Sequence, residues 1–277
     1  MKRIAVIPNQ SKDIDLKITR FLIECLSEKA EIYMDKIYEK MSGEVKYTED
    51  IYTFADAVII LGGDGTILQA AEPCARLNIP IMGINLGKIG FMTEIEVEDI
   101  EKSVQRLLKD DYEIEKRMMM KVDIIKKDGT TSSYYALNDA VISKPDAQMI
   151  SLELYREDEK INEYIADGVI VSTPTGSTGY SLSAGGPVAD PAMEMFISTP
   201  ICAHMLSSRT AILPANKKIS VRLTEVGNKS AVVTIDGQIK DNISCGEHIE
   251  VRRWEEKVRL IKMGNQSFYD ILTKKLS

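Results

Sequence analysis

One stretch constrains this chain more than any other: Ala57-Val-Ile-Ile-Leu61, followed at once by Gly62-Gly63-Asp64-Gly65-Thr66. The five apolar residues read as a strand buried on both faces. The glycines end it, and a helix is expected from about Thr66 through Ala70 and Ala71 to Leu77. A strand, a glycine turn and a helix N-terminus form an anion site, because free N–H groups point outward and no side chain blocks a phosphate. An aspartate in such a turn repels phosphate. Asp64 is therefore read as a catalytic or metal-organising group, against the plainer reading of a turn residue kept for local hydrogen bonding. The buried strand before it and the helix after it favour the first reading.

Around that centre the first part of the chain alternates strand and helix. Residues 3–8 read as a strand, and Ile14, Ile18, Leu22 and Leu26 put a helix over 12–30. Glu31 to Met34 suggests a short strand, and the polar stretch from Lys36 to Asp50 is expected to be irregular. Ile79-Pro-Ile-Met-Gly-Ile84 reads as another buried strand, and Val97 to Leu108 as a helix. Such alternation implies a parallel sheet, whose ligands bind beyond the carboxyl ends of the strands. Asn85-Leu-Gly-Lys-Ile-Gly-Phe91 is a second glycine-punctuated loop at such an end.

Near residue 112 the pattern changes. Short strands are expected at 117–127, 131–137, 149–156, 160–165, 168–172, 219–226, 230–236, 248–253 and 257–262. Lys127-Asp-Gly-Thr130, Gly227-Asn228-Lys229 and Asp236-Gly237 punctuate them. The fold class expected is an α/β N-terminal domain with a parallel sheet (1–111) and a mainly antiparallel β-sandwich C-terminal domain (112–262). A tail at 263–277 is expected to pack back on the first domain.

Composition removes several function classes. The net charge of −7 argues against a general nucleic-acid or membrane-surface binder. No apolar run approaches the ~20 residues of a membrane-spanning helix. The start, Met1-Lys-Arg-Ile-Ala-Val-Ile-Pro8, is too short in its apolar part for a signal peptide and reads as a strand. Cys25, Cys74, Cys202 and Cys245 are far apart, which disfavours zinc or a disulfide framework and fits a reducing cytoplasm. The two histidines, His204 and His248, share no motif, so a Ser-His-Asp triad has little support. The Gly-x-Gly-x-x-Gly of redox dinucleotide enzymes is missing.

The most unusual segment is Asp167-Gly-Val-Ile-Val-Ser-Thr-Pro-Thr-Gly-Ser-Thr-Gly-Tyr-Ser-Leu-Ser-Ala-Gly-Gly-Pro187. It combines many hydroxyls, which donate and accept in fixed local patterns, with five glycines and a tyrosine whose flat face suits a base. A Ser/Thr-rich surface loop is the plainer alternative, but such a loop needs neither the glycines nor the buried-looking strand before it.

Gly62-Gly63-Asp64-Gly65-Thr66 resembles the signature of the NAD kinase and diacylglycerol kinase superfamily. Thr173-Pro-Thr-Gly-Ser-Thr-Gly-Tyr-Ser-Leu-Ser-Ala-Gly-Gly-Pro187 resembles the central motif of bacterial NAD kinases, and Asn85 to Phe91 their second N-terminal motif. Leu137-Asn138-Asp139-Ala140 is similar to the family's Asn-Glu pair, with aspartate where glutamate is common, and Asp236-Gly237-Gln238 to a late motif. Lys88 stands where arginine is common. The matches follow the family's order from residue 62 to 238.

The resemblance implies transfer of the γ-phosphoryl of ATP to the 2′-hydroxyl of the adenosine ribose of NAD, giving NADP. It makes Asp64 the proton acceptor, also in contact with substrate. Gly62 and Gly63 would bind the cofactor phosphates, and Gly63 and Gly65 would leave room for ribose and phosphate. Asn138 and Asp139 would bind ribose or adenine. Thr175, Thr178 and Tyr180 would line the adenine pocket, Gly179, Ser181 and Leu182 would also bind substrate, and Asp167 and Ser183 would finish the dinucleotide cradle. Phe91 would pack on a ring or serve as core. Asp236 and Gln238 would contact substrate or simply form a hairpin turn. Mg²⁺ is expected mainly on the ATP phosphates, with no protein metal ligands, since no carboxylate cage is apparent. A cytoplasmic homodimer or homotetramer, with no nucleic-acid or membrane partner, is the family's usual form.

Two alternatives stand beside this. A lipid kinase of the diacylglycerol or sphingoid type shares the first motif and would need an apolar or basic membrane-facing patch. A non-enzymatic dinucleotide sensor would have no use for an aspartate in the phosphate turn.

Overall fold

The computed structural model describes residues 1–39, 44–204, 208–227, 229–264 and 266–276. The chain begins with β1 (Lys2–Pro8), followed by α1 (Lys17–Leu26), β2 (Ala30–Asp35), β3 (Val45–Thr48), β4 (Ala57–Gly62), α2 (Asp64–Arg76), β5 (Ile81–Asn85) and α3 (Ile100–Leu108). These strands pair in parallel in the order β3-β2-β1-β4-β5. Helices on the sheet cover its strands, so Val58 to Leu61 are fully buried, which is why β4 is apolar without alternation. In α3 the buried residues Ile100, Ser103, Val104 and Leu107 recur at helical spacing and form its core-facing stripe.

The chain leaves β1 on one side for β2 and β3, then returns to the other side for β4. The strand order reverses there, so the carboxyl ends of β1 and β4 flank the crevice where open α/β sheets hold ligands. Gly62 and the Gly63-Asp64 start of α2 lie at that point.

Several details differ from the sequence reading. The helix expected over 12–30 is only ten residues long. Asp15 and Leu16 have φ of 58° and 55°, which breaks the helix, and the Asp13 carboxylate accepts the N–H groups of Ile18 (3.0 Å) and Thr19 (2.8 Å) at its new start. The stretch 36–50 is not wholly irregular: a 3₁₀ turn forms at Lys36–Tyr38, and β3 adds to the sheet edge beside β2. Residues 40–43 of that stretch lie outside the described residues.

The second part of the chain is built from β6 (Glu113–Ile125), β7 (Thr131–Ala136), β8 (Asp139–Ser143), β9 (Ile150–Arg156), β10 (Glu159–Ala166), β11 (Gly168–Ser172), the single turn α4 (Tyr180–Ser183), β12 (Met195–Ile201), β13 (Ala211–Pro214), β14 (Ile219–Gly227), β15 (Ser230–Ile235), β16 (Gln238–Ser244) and β17 (His248–Lys262), before the final helix α5 (Phe268–Leu276). One antiparallel sheet runs β13-β12-β11-β8-β15-β16. In a second, β10, β9, β14 and β17 pair antiparallel in that order. Side chains from both sheets, among them Ile142, Val171, Phe196, Leu152, Leu154 and Val221, meet in one buried cluster.

Strands β8, β12, β13 and β16 have no counterpart in the sequence reading. Pro200 inside β12 discourages a strand assignment, β13 is four residues long, and β16 is dominated by polar residues. The two strands expected at 248–253 and 257–262 are one, β17, which continues through the charged run Arg252 to Lys257. By packing, the chain divides into Met1–Lys116 with Lys257–Ser277, and Arg117–Glu256. The divisions fall inside β6 and β17, not at 111/112 and 262/263. The last residues of β17 extend the first unit's sheet, with Leu260 pairing Ile81 in parallel.

Candidate active site

In the first unit, Gly63 is the N-cap of α2 and Asp64 its first residue, so backbone N–H groups at the helix start have no side-chain cap. The Asp64 carboxylate is held by the second glycine loop. Oδ2 accepts the Phe91 N–H at 2.8 Å, and Oδ1 accepts the N–H groups of Met92 (3.0 Å) and Thr93 (3.2 Å) and the Thr93 hydroxyl (3.4 Å). Gly90 makes this possible: a Cβ there would stand 2.2 Å from Asp64 Oδ1. The Leu86 N–H donates to the Gly62 carbonyl at 2.8 Å, so the two glycine stretches are tied twice.

The loop after β1 completes this end of the sheet. Asn9 donates from Nδ2 to Thr66 Oγ1 at 3.0 Å. The Lys12 ammonium stands over the glycine turn, 2.8 Å from where a Gly63 Cβ would lie, and has no ion-pair partner among the described residues. Gly65 is exposed and a Cβ there would meet nothing within 4 Å, so its surroundings are open. Phe91 is half-buried; its ring lies 5.6 Å from that of Phe268, with Lys275 Nζ 4.5 Å from its centroid.

In the second unit the organising residue is Asp236. With Gly237 it forms the two-residue turn between β15 and β16, at φ of 45° and 77°. Its carboxylate also accepts three successive N–H groups, from Leu137 (2.8 Å), Asn138 (2.8 Å) and Asp139 (3.0 Å). The hairpin and the site readings of Asp236 are thus joined, since the turn residue positions the Asn138-Asp139 pair. Burial raises the Asp236 carboxyl above the usual carboxylate range, against the pull of those N–H groups. Asp139 is pushed up to about 7, by burial first and the neighbouring Asp236 charge second. Asn138 Oδ1 is buried with no hydrogen-bond donor in reach, an acceptor left for something else to fill.

The Thr-Pro-Thr-Gly loop packs on this pair. Thr173 N–H donates to the Asn138 carbonyl at 2.9 Å, and a Cβ on Gly176 would be 2.2 Å from that same carbonyl oxygen, so only glycine fits. Thr175 is buried, its Oγ1 facing the buried guanidinium of Arg117 at 3.4 Å. Thr178 donates to the Thr175 carbonyl at 3.3 Å and the Gly179 N–H to the Gly176 carbonyl at 2.9 Å. Tyr180 opens α4 and is 49% exposed. Ser181 is buried against Thr199 at 3.0 Å, Leu182 is half-buried, and Ser183 is exposed.

The unit therefore gathers Asn138, Asp139, Thr175, Thr178 and Gly179 around one loop. Asp167 is not among them. It precedes Gly168, which pairs with Ser143, whereas Asp139 pairs with Ser172 at the other end of β11, about 17 Å away at strand rise. There its carboxylate is paired with Lys144 at 2.7 Å. Gln238 is exposed and accepts from Lys240 at 2.8 Å. Sequence reasoning missed Asn9, Lys12, Thr93 and Arg117. For Lys12 a signal was available: a lysine in the loop after the first strand, at the end of the sheet where ligands bind.

Two family models match the chain: the ATP-NAD kinase N-terminal domain over residues 4–112 and the ATP-NAD kinase C-terminal domain over 137–263. Among curated relatives, an NAD kinase of Caldanaerobacter subterraneus subsp. tengcongensis is 40% identical over 282 residues, covering 100% of this chain and 99% of the relative. One of Acetivibrio thermocellus is 37% identical over 281 residues, covering 100% and 97%. Among solved structures, an NAD kinase from Archaeoglobus fulgidus in complex with ATP aligns at TM-score 0.75 with 26% identity, over 99% of this chain and 98% of that one. Yeast NADH kinase complexed with NADH aligns at TM-score 0.89 over 100% and 87%; at 23% identity that likeness speaks for the fold.

Proposed function

Since the chain belongs to the ATP-NAD kinase family, it moves the γ-phosphoryl of ATP to the 2′-hydroxyl of the adenosine ribose of NAD, giving NADP, and we propose that Asp64 accepts the proton of that hydroxyl. The observation that carries the proposal is the hold on Asp64. Its two oxygens take three backbone N–H groups, so the carboxylate cannot rotate without breaking them. A ribose hydroxyl meets an acceptor already fixed in place, which in-line transfer requires. Neither the lipid kinase nor the sensor alternative finds support among the matched families and relatives.

The remaining groups follow from their chemistry. Lys12 and the uncapped start of α2 at Gly62-Gly63 suit the charge of the donor's phosphates. The orphan Oδ1 of Asn138 suits a ribose hydroxyl or the adenine amino group, and Asp139 a second hydroxyl. The exposed ring of Tyr180 suits stacking on adenine, with Thr175, Thr178 and Ser183 beside it in the loop. Asp167, paired with Lys144 apart from this loop, and Gln238, engaged by Lys240, are proposed as substrate contacts on the family resemblance alone.

Mg²⁺ would ride on the ATP phosphates and spread their charge during transfer. Among the described residues, no three His, Cys, Asp or Glu side chains stand together to hold an ion of their own. A cytoplasmic homo-oligomer is proposed on the family resemblance. All four cysteines are unpaired, and no helix among the described residues is long and apolar enough to cross a membrane.

The test is direct. Purified protein with ATP, Mg²⁺ and NAD should yield NADP, followed through a coupled dehydrogenase, and should leave diacylglycerol unphosphorylated. Turnover of the lipid without NADP would contradict the reading.

A further inference from the structure

Glu94 lies one residue past the backbone that holds Asp64, and its side chain is 6% exposed. Oε1 accepts two successive N–H groups from the segment after β17, Met263 at 2.8 Å and Gly264 at 3.1 Å. Oε2 is ion-paired with Lys262, whose ammonium also lies 3.9 Å from Glu115. The next residue, Ile95, is pinned to β5: its N–H donates to Gly83 at 3.3 Å and its carbonyl accepts from Asn85 at 2.7 Å. The far side of the returning segment is held as well, because Arg106 donates to the Met263 carbonyl.

Residues 91–95 are thus fixed from three directions: Asp64 on one, β5 on another, and Met263-Gly264 on the third. Phe268 and Lys275 add to the third by packing on the Phe91 ring. A buried ion pair is a weak stabiliser compared with apolar packing. What a carboxylate adds here is direction, since it reads two neighbouring N–H groups at once and fixes the loop against them.

We propose that Glu94 is a positioning residue for phosphoryl transfer: by anchoring the loop 91–93 to Met263-Gly264 it sets where the Asp64 carboxylate points. The proposal rests on the reading of Asp64 as the proton acceptor. Losing the anchor lets the loop drift, and misplacement of a reacting group by about 1 Å costs up to about a hundredfold in rate.

A double-mutant cycle separates this from a structural role. Single-turnover NADP formation, at saturating ATP, Mg²⁺ and NAD, is compared for the wild type, Glu94→Ala, Asp64→Asn and the double variant. Glu94→Ala should lose about ten- to a hundredfold, while the double variant should match Asp64→Asn within about twofold, because a misaimed acceptor cannot matter once the acceptor is gone. Should Glu94→Ala not fold, Glu94→Asp serves in its place. It keeps the charge for Lys262 but is one methylene too short, so it should lose about three- to tenfold, again only when Asp64 is present. Losses that multiply in the double variant, or a Glu94→Ala rate equal to wild type, would overturn the positioning role alone. A near-normal rate for Asp64→Asn would overturn the proton-acceptor reading and the positioning role with it.

Discussion

The Asp64 carboxylate lies 2.8 Å from the Phe91 nitrogen, and that bond joins the two glycine stretches of the first unit through the side chain proposed as the proton acceptor. Asp64 is therefore a structural tie and a chemical group at once. Any change to the loop it holds should act on rate as well as on stability.

Gly90→Ala tests that link without touching the carboxylate. Its Cβ would fall 2.2 Å from Asp64 Oδ1, so the loop or the side chain must move. The turnover number should drop at least about tenfold, as a misplaced acceptor does, with a smaller change in NAD affinity measured by calorimetry.

Lys12→Met should separate the two substrates. The ammonium stands beside the glycine turn and is free of other partners among the described residues. Its loss should raise KM for ATP about tenfold, equivalent to ~1.4 kcal/mol, with a much smaller effect on KM for NAD. Initial-rate kinetics with each substrate varied in turn will show it.

Tyr180 is exposed at 49%, so removing its ring should leave the melting temperature almost unchanged. Stacking on a base is worth ~1–3 kcal/mol, so Tyr180→Ala should raise KM for NAD by about one to two orders of magnitude. Tyr180→Phe should lose far less; equal losses would assign the effect to the hydroxyl.

Asp139 carries a pH dependence. Its carboxyl is raised in the folded protein to about 7 from an ordinary 3.8, so between those values the native state holds a proton that the unfolded chain has released. Its contribution to stability is full below the lower value and is lost as pH rises through the upper one. Asp139→Asn, which mimics the protonated form, should therefore melt above wild type at about pH 8, with the gap closing toward about pH 4. Thermal melts across that range check the sign.

Much of the first unit was legible because its signals are local. An unbroken apolar strand, a glycine turn and a helix start occupy one short stretch, and the structure shifts the helix only slightly, adding Asp64 and Gly65 at its start and ending it at Arg76. The edge strand β3 escaped because four residues, none of them buried, carry too little periodicity. In the second unit, β8 escaped because its pairing with β15 and its tie to Asp236 join residues about a hundred positions apart, which no local pattern records, and β16 because its residues are mostly polar. Glu94 looks like an ordinary surface charge in the sequence, and only the packing of loops distant along the chain gives it partners.

The central claim is that Asp64 accepts the 2′-hydroxyl proton, and Asp64→Asn tests it most directly. The amide cannot satisfy all three N–H groups at both positions, so some loss of stability is expected, on the order of 1–3 kcal/mol. The measurement is therefore the single-turnover rate of NADP formation by folded protein, well below its melting temperature, beside calorimetric NAD binding. A fall of about 10²- to 10⁴-fold in rate with NAD affinity nearly unchanged is predicted. A folded Asp64→Asn protein that forms NADP at more than about a tenth of the wild-type rate would contradict it.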